Sequence, residues 1–177
     1  MDIHLPTYEY IDQILILNRK YLITQLPDNQ KQNGFIRIAY TRDDLAKIIA
    51  AREMVIATEQ NRVIGYYLIG RKSGDPALDY QKNKARSLFD THQIPFDKIG
   101  YGCQVCIEER YRNNGFFGQM LQALTQMVKT KYSHLLCSVS DDNAVSLQVH
   151  INNGWKLIGE LEVPRFFIYH TQRPIIL

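Results

Sequence analysis

The stretch from Gln104 to Val128 leaves this chain the fewest choices. Cys103, Val105 and Ile107 alternate with other residues as in a strand. A polar, basic turn follows, Arg110-Tyr111-Arg112-Asn113-Asn114-Gly115. Phe117, Met120, Leu121, Leu124 and Val128 then recur at helical spacing. A strand, a turn and a helix in this order bring the unpaired N–H groups of a helix start to one spot, where the helix dipole adds positive charge. Gly115 there allows close approach of a ligand to the backbone. With two arginines alongside, this is the chemistry of a phosphate site, although it does not say which phosphate.

The chain of 177 residues has the length of one domain and, at 45% hydrophobic content, enough apolar side chains for a core. Its net charge of +3 comes from bases interspersed with acids, so no nucleic-acid partner is implied. No apolar run reaches the ~20 residues of a membrane span, and Met1-Asp2-Ile3-His4 does not begin like a secretory signal. The expectation is a cytoplasmic protein. Cys103 and Cys106 form a C-x-x-C. On a strand, however, positions three apart face opposite ways, and no second pair completes a metal set, so buried strand cysteines and no metal are expected.

Before the central stretch, residues 2–7 can make a short first strand. Ile11, Ile14, Leu15, Asn18, Tyr21 and Leu22 mark an amphipathic helix ending before Pro27. Residues 35–40 run into Thr41, an N-cap for a helix carrying Leu45, Ile48 and Ile49; this half is expected to supply packing and part of an acceptor pocket. Residues 54–58 and 63–69 read as a hairpin, so the sheet is not purely parallel. Around 75–92, Asp75, Pro76, Leu78, Ala85, Leu88 and Phe89 predict an inserted helix. After the central stretch come a fifth strand at 134–140, a helix from Asn143 to Gly154, and strands at 155–163 and 165–170.

With this order in place, Arg112-Asn113-Asn114-Gly115 resembles the coenzyme A pyrophosphate loop of the GNAT superfamily of N-acetyltransferases, Q/R-x-x-G-x-G/A. Asn143 to Trp155 resembles that family's second signature, N-x-x-A/S-x-x-x-Y followed by a G-F pair. The close match covers residues 98–160. The resemblance implies one α/β domain over 1–177 with a mixed, mainly antiparallel sheet of six to seven strands flanked by helices, strands 4 and 5 being parallel and splayed. It implies transfer of an acetyl group from acetyl-coenzyme A to a primary amine, of a small molecule or a peptide, by direct attack in a ternary complex. The alternative is a protein that holds an acyl-coenzyme A without transferring it. An exposed edge in the last strand could support a homodimer.

By the same resemblance, Arg112, Asn113, Asn114, Gly115, Phe116, Phe117 and Gly118 hold the pyrophosphate, chiefly through backbone N–H groups. Val105, Cys106 and Ile107 offer the strand 4 backbone to the pantetheine and the acetyl carbonyl, and Asn143 bonds the pantetheine or a water near it. Phe117 stands where the pattern has its second small residue. If it points into the core its N–H stays available, and if it points at the ligand it blocks the site. His150 stands at the tyrosine position, where the family's side chain protonates the departing thiolate. An imidazole near its ordinary pKa of ~6.5 would be about a tenth protonated at pH 7.5. Tyr101, Asp97, Gln104 and Glu108 are the groups near strand 4 for the amine's proton. Tyr101 and His150 are the expected catalytic residues, and Glu108 is expected in a solvated turn.

Overall fold

The computed structural model describes residues 1–70, 79, 83, 86, 89–90, 94–158 and 165–171. Among the described residues, eight short strands form two four-stranded sheets. The first, in the order β1-β2-β3-β5, is antiparallel throughout and contains β1 (Asp2–His4), β2 (Met54–Glu59), β3 (Arg62–Leu68) and β5 (Gln104–Ile107). The second, in the order β4-β6-β8-β7, contains β4 (Ile99–Gly100), β6 (His134–Val139), β7 (Lys156–Leu157) and β8 (Arg165–His170). β4 and β6 are parallel; β6 with β8, and β8 with β7, are antiparallel.

The strand expected at Cys103, Val105 and Ile107 is β5, and a further short strand, β4, precedes it. β4 belongs to one sheet and β5 to the other, and the chain changes partner across Tyr101-Gly102-Cys103. Gly102 supplies the turn with φ +65°. Gly70 on the neighbouring chain lies so close that a Cβ there would sit 2.7 Å from the Gly102 carbonyl oxygen. The last link between β5's chain and β6 is the Cys103 N–H donating to Leu136 O at 3.1 Å, beyond which the strands part. The expected splay of strands 4 and 5 is this opening.

Helices cover both faces of the first sheet. α1 (Ile11–Lys20) and α3 (Arg42–Ala50) pack on one, with Ile11, Ile14, Leu45 and Ile48 against Met54, Ile56 and Tyr66. α2 (Asp28–Lys31) is a single turn between them. α4 (Phe116–Val128) packs on the other, burying Phe117, Met120, Leu121, Leu124 and Val128 against Val55, Ala57, Tyr67 and Leu135. Its apolar face therefore has the spacing the sequence predicts. α3 starts in a full capping box, the Thr41 hydroxyl taking the Asp44 N–H while the Asp44 carboxylate takes the Thr41 N–H. Gln60 and Asn61, both at positive φ, turn the β2–β3 hairpin as two-residue loops require. α5 (Ala144–Asn152) ends at Gly154, φ +82°.

Most of the predicted inserted helix lies outside the described residues; Asp79, Asn83, Arg86, Phe89 and Asp90 within it are helical, and Phe89 is buried against Ile99, Leu136 and Ile168. Of the strand predicted at 155–163, Lys156–Leu157 pairs with β8, and residues 159–164 lie outside the described residues. β8 pairs along its length with β6 on one side, and on the other with β7 at Phe167 and Ile168. No helix among the described residues is long and apolar enough to cross a membrane.

Candidate active site

Where β5 and β6 part, a cleft of about 630 Å³ runs from the turn before α4 to the start of α5. Its floor at one end is the turn itself. Asn113 and Gly115 both take left-handed backbone, φ +62° and +76°, and no side chain caps α4. The first N–H groups of that helix therefore open on the cleft as an uncapped, electropositive end. Gly118 allows α4 to approach α5 there, since a Cβ would meet Asn153 Oδ1 at 2.8 Å.

The arginine of the turn serves the backbone. Arg112 Nε donates to Ile107 O at 2.9 Å, its Nη1 bonds the Asn33 carbonyl, and the guanidinium lies 4.8 Å from the centre of the Tyr21 ring. It braces the turn against β5 and the segment after α2. Phe117 resolves the alternative posed by its position: it points into the core, 5.4 Å from Tyr67 and 5.0 Å from His150 between ring centres, while still lining the cleft.

β5 forms the cleft's long wall. The Glu108 N–H bonds Ile64 O on β3, and that of Cys103 bonds Leu136 on the opposite side. By the alternation of an antiparallel ladder, Gln104 and Cys106 pair with β3 while Val105 and Ile107 turn their N–H groups toward the gap. Cys106 is buried among α1 residues, which pushes its thiol up to about 12, and Cys103 packs on the opposite face, so the two sulfurs diverge. Across the gap, Asn143 caps α5 by accepting the Ser146 N–H at 3.2 Å and donates to Phe35 O at 2.8 Å, tying residues 34–38 to the helix start. Of the predicted coenzyme-binding residues, all but Asn114 line this cleft; Asn114 instead folds back to donate to Arg112 O.

Neither predicted catalytic residue lines this cleft; His150 borders a smaller pocket beside it, and Tyr101 lies away from both. His150 is 3% exposed, with its ring packed among Phe117, Trp155 and Phe167. Its Nδ1–H donates to Ser146 O at 2.7 Å, and burial lowers its pKa to about 4 against a smaller upward pull from that carbonyl. With its pKa so lowered, the imidazole is neutral at physiological pH. Tyr101 lies outside the cleft, packed on Phe89 and Phe96 with its hydroxyl donating to Phe96 O at 3.1 Å; burial raises its pKa. Glu108 is likewise no solvated turn residue. It is buried, paired with Lys20 and Arg62, and accepts from the Tyr21 hydroxyl at 3.5 Å, which fastens β5 to α1.

A smaller pocket of about 100 Å³ adjoins the cleft, sharing Phe35, Ile36, Val105, Asn143 and Ser146 with it. Arg37, Gln104, Ser138, Ser140 and the predicted catalytic His150 complete its polar lining. Sequence spacing has no signal for Tyr21, Asn33, Arg37 or Ser140. They come from segments far apart in the chain, and the expectation reached no further than the N-terminal half as a whole supplying part of an acceptor pocket.

No family model and no curated protein matches the chain in sequence. Solved structures do match in shape. An N-acetyltransferase from Staphylococcus aureus is 17% identical with a TM-score of 0.64, over 97% of this chain and 98% of that one. The PaiA N-acetyltransferase from Thermoplasma acidophilum, solved in complex with coenzyme A, is 13% identical with a TM-score of 0.65, over 96% and 98%. A GNAT superfamily phosphinothricin acetyltransferase from Sinorhizobium meliloti, in complex with acetyl-coenzyme A, is 11% identical with a TM-score of 0.64, over 96% and 87%. The chain has the fold of the GNAT superfamily acetyltransferases.

Proposed function

We propose that the protein transfers an acetyl group from acetyl-coenzyme A to a primary amine by direct attack in a ternary complex. The observation that carries this is the cleft, which joins an uncapped helix start at Gly115 to a strand whose N–H groups, from Val105 and Ile107, turn into the gap. The pyrophosphate would lie on the N–H groups of Phe116, Phe117 and Gly118. The pantetheine would run beside β5, and Val105 N–H would polarise the acetyl carbonyl. Coenzyme-bearing proteins of the same fold support this reading.

The amine nitrogen attacks the carbonyl carbon, the C–N bond forms and the C–S bond breaks. The proton lost by nitrogen balances the one gained by sulfur. A neutral His150 does not prevent this. A thiol with a pKa near ~8.5 leaves as thiolate close to neutral pH without a strong acid.

Thermal denaturation with and without acetyl-coenzyme A, followed by coenzyme A release across an amine panel, tests the proposal. Ligand at ~100 times its dissociation constant should stabilise by about 2.7 kcal/mol. The absence of any shift at millimolar ligand overturns the reading. Binding without transfer to any amine would make the protein a holder of acyl-coenzyme A.

A further inference from the structure

We infer that Arg37 anchors a carboxylate on the acceptor, so that the acetylated amine belongs to a small amino-acid-like molecule. This rests on the acetyltransferase reading and concerns the half of the site which that reading leaves undefined.

Arg37 stands on the extended segment that follows the parallel bridge between Leu22 and Ile36, and it lines the smaller pocket. Its Nη2 donates to Ser140 Oγ at 2.9 Å, and its guanidinium lies 5.2 Å from the centre of the Phe35 ring. Both contacts hold the planar fork in place. Ser140, 6% exposed, follows directly on β6, so the arginine spans the open side of the gap. Among the described residues Ser140 is the one hydrogen-bond acceptor of this guanidinium, which has five N–H donors. The remaining donors suit a carboxylate, which a fork of this geometry takes in two parallel hydrogen bonds.

The pocket around it is neutral. Among the described residues that line it there is no Asp or Glu, so Arg37 supplies its one formal charge. A polycationic acceptor meets no counter-charge there, whereas an acid does. In the same lining, the Gln104 amide is held by a buried chain: its Nε2 donates to the Tyr66 hydroxyl at 2.9 Å, which also takes Asn18 Nδ2 at 2.8 Å. Gln104 immediately precedes Val105, whose N–H turns into the gap. The pocket therefore presents a cation and a pre-oriented amide, next to the proposed acetyl position. At about 100 Å³ it suits a small molecule.

The test compares the common amino acids with their primary amides as acceptors, by coenzyme A release with the full chain. Each pair offers the same amine, and the amide's is the more easily deprotonated, so chemistry alone favours the amide. A fork-held carboxylate should nevertheless give the acid about a tenfold or greater advantage in kcat/KM. Arg37→Gln should abolish that advantage through KM, and Arg37→Lys should keep part of it. Equal or better use of the amides by the wild type overturns the inference, as does an unchanged acid-to-amide ratio in Arg37→Gln. Acetyl-coenzyme A binding without use of either class also overturns it while leaving the coenzyme site intact. No acetyl-coenzyme A binding fails the acetyltransferase reading itself.

Discussion

The two sides of the gap between β5 and β6 are built on different principles. The side proposed for the coenzyme is made of backbone: N–H groups at the start of α4, left-handed turns at Asn113 and Gly115, and the free edge of β5. The side proposed for the acceptor is made of side chains, Arg37, Gln104 and Ser140, brought from three segments. A backbone site needs only the right conformation, and one short contiguous motif encodes it. A side-chain site needs particular groups at particular places, and nothing local in the chain announces them. Phe117 shows how tolerant the first kind is. A large residue at a small-residue position turns into the core and leaves its N–H where it was.

His150, where both sides meet the core, gives the largest expected effect. Its pKa is about 4 in the folded protein and ~6.5 in the unfolded chain, so between those values the unfolded chain binds more protons. The stabilisation is present in full above about pH 6.5 and is lost as pH falls toward 4, by roughly 3 kcal/mol. Urea denaturation across that range should show the decline, and His150→Phe should flatten it. If His150 were instead an exposed group of the acceptor side, the slope would be absent.

The coenzyme side can be broken through conformation alone. Gly115→Val places a β-branched residue at φ +76°, which should cost roughly 2 kcal/mol and weaken acetyl-coenzyme A binding by roughly thirtyfold in calorimetry. Tight binding by this variant would show that the turn does not act through its backbone. Asn143→Ala joins the two sides in one substitution, because it removes the cap of α5 and the bond to Phe35. A loss of about 1–2 kcal/mol in stability is expected, with a rise in acceptor KM larger than that for the coenzyme. Tyr101→Phe is expected to do least. With the hydroxyl bonded to Phe96 O away from the cleft, turnover should stay within about twofold, below what loss of a proton-transfer group would cause.

Much of the fold is legible in the chain because its signals are local. The α4 face at Phe117, Met120, Leu121, Leu124 and Val128, the box at Thr41 and Asp44, and the hairpin turn at Gln60-Asn61 each depend on near neighbours. The strand break was not legible. The alternation at Cys103, Val105 and Ile107 shows β5 alone, and only the approach of Gly70 to Gly102, with β6 competing for Cys103, sets β4 apart in the other sheet. For the same reason His150 and Tyr101 stood as catalytic by position, whereas burial decides their protonation and their surroundings.

By itself, then, the sequence determined the order of elements and the phosphate-type turn, since helical spacing, caps and a glycine in left-handed backbone act within a few residues of one another. Tertiary structure alone decided where the sheet opens, that Phe117 and His150 face the core, and that Arg37 meets Ser140 across the gap. Those outcomes depend on burial and on contacts between segments far apart in the chain, which no local pattern carries.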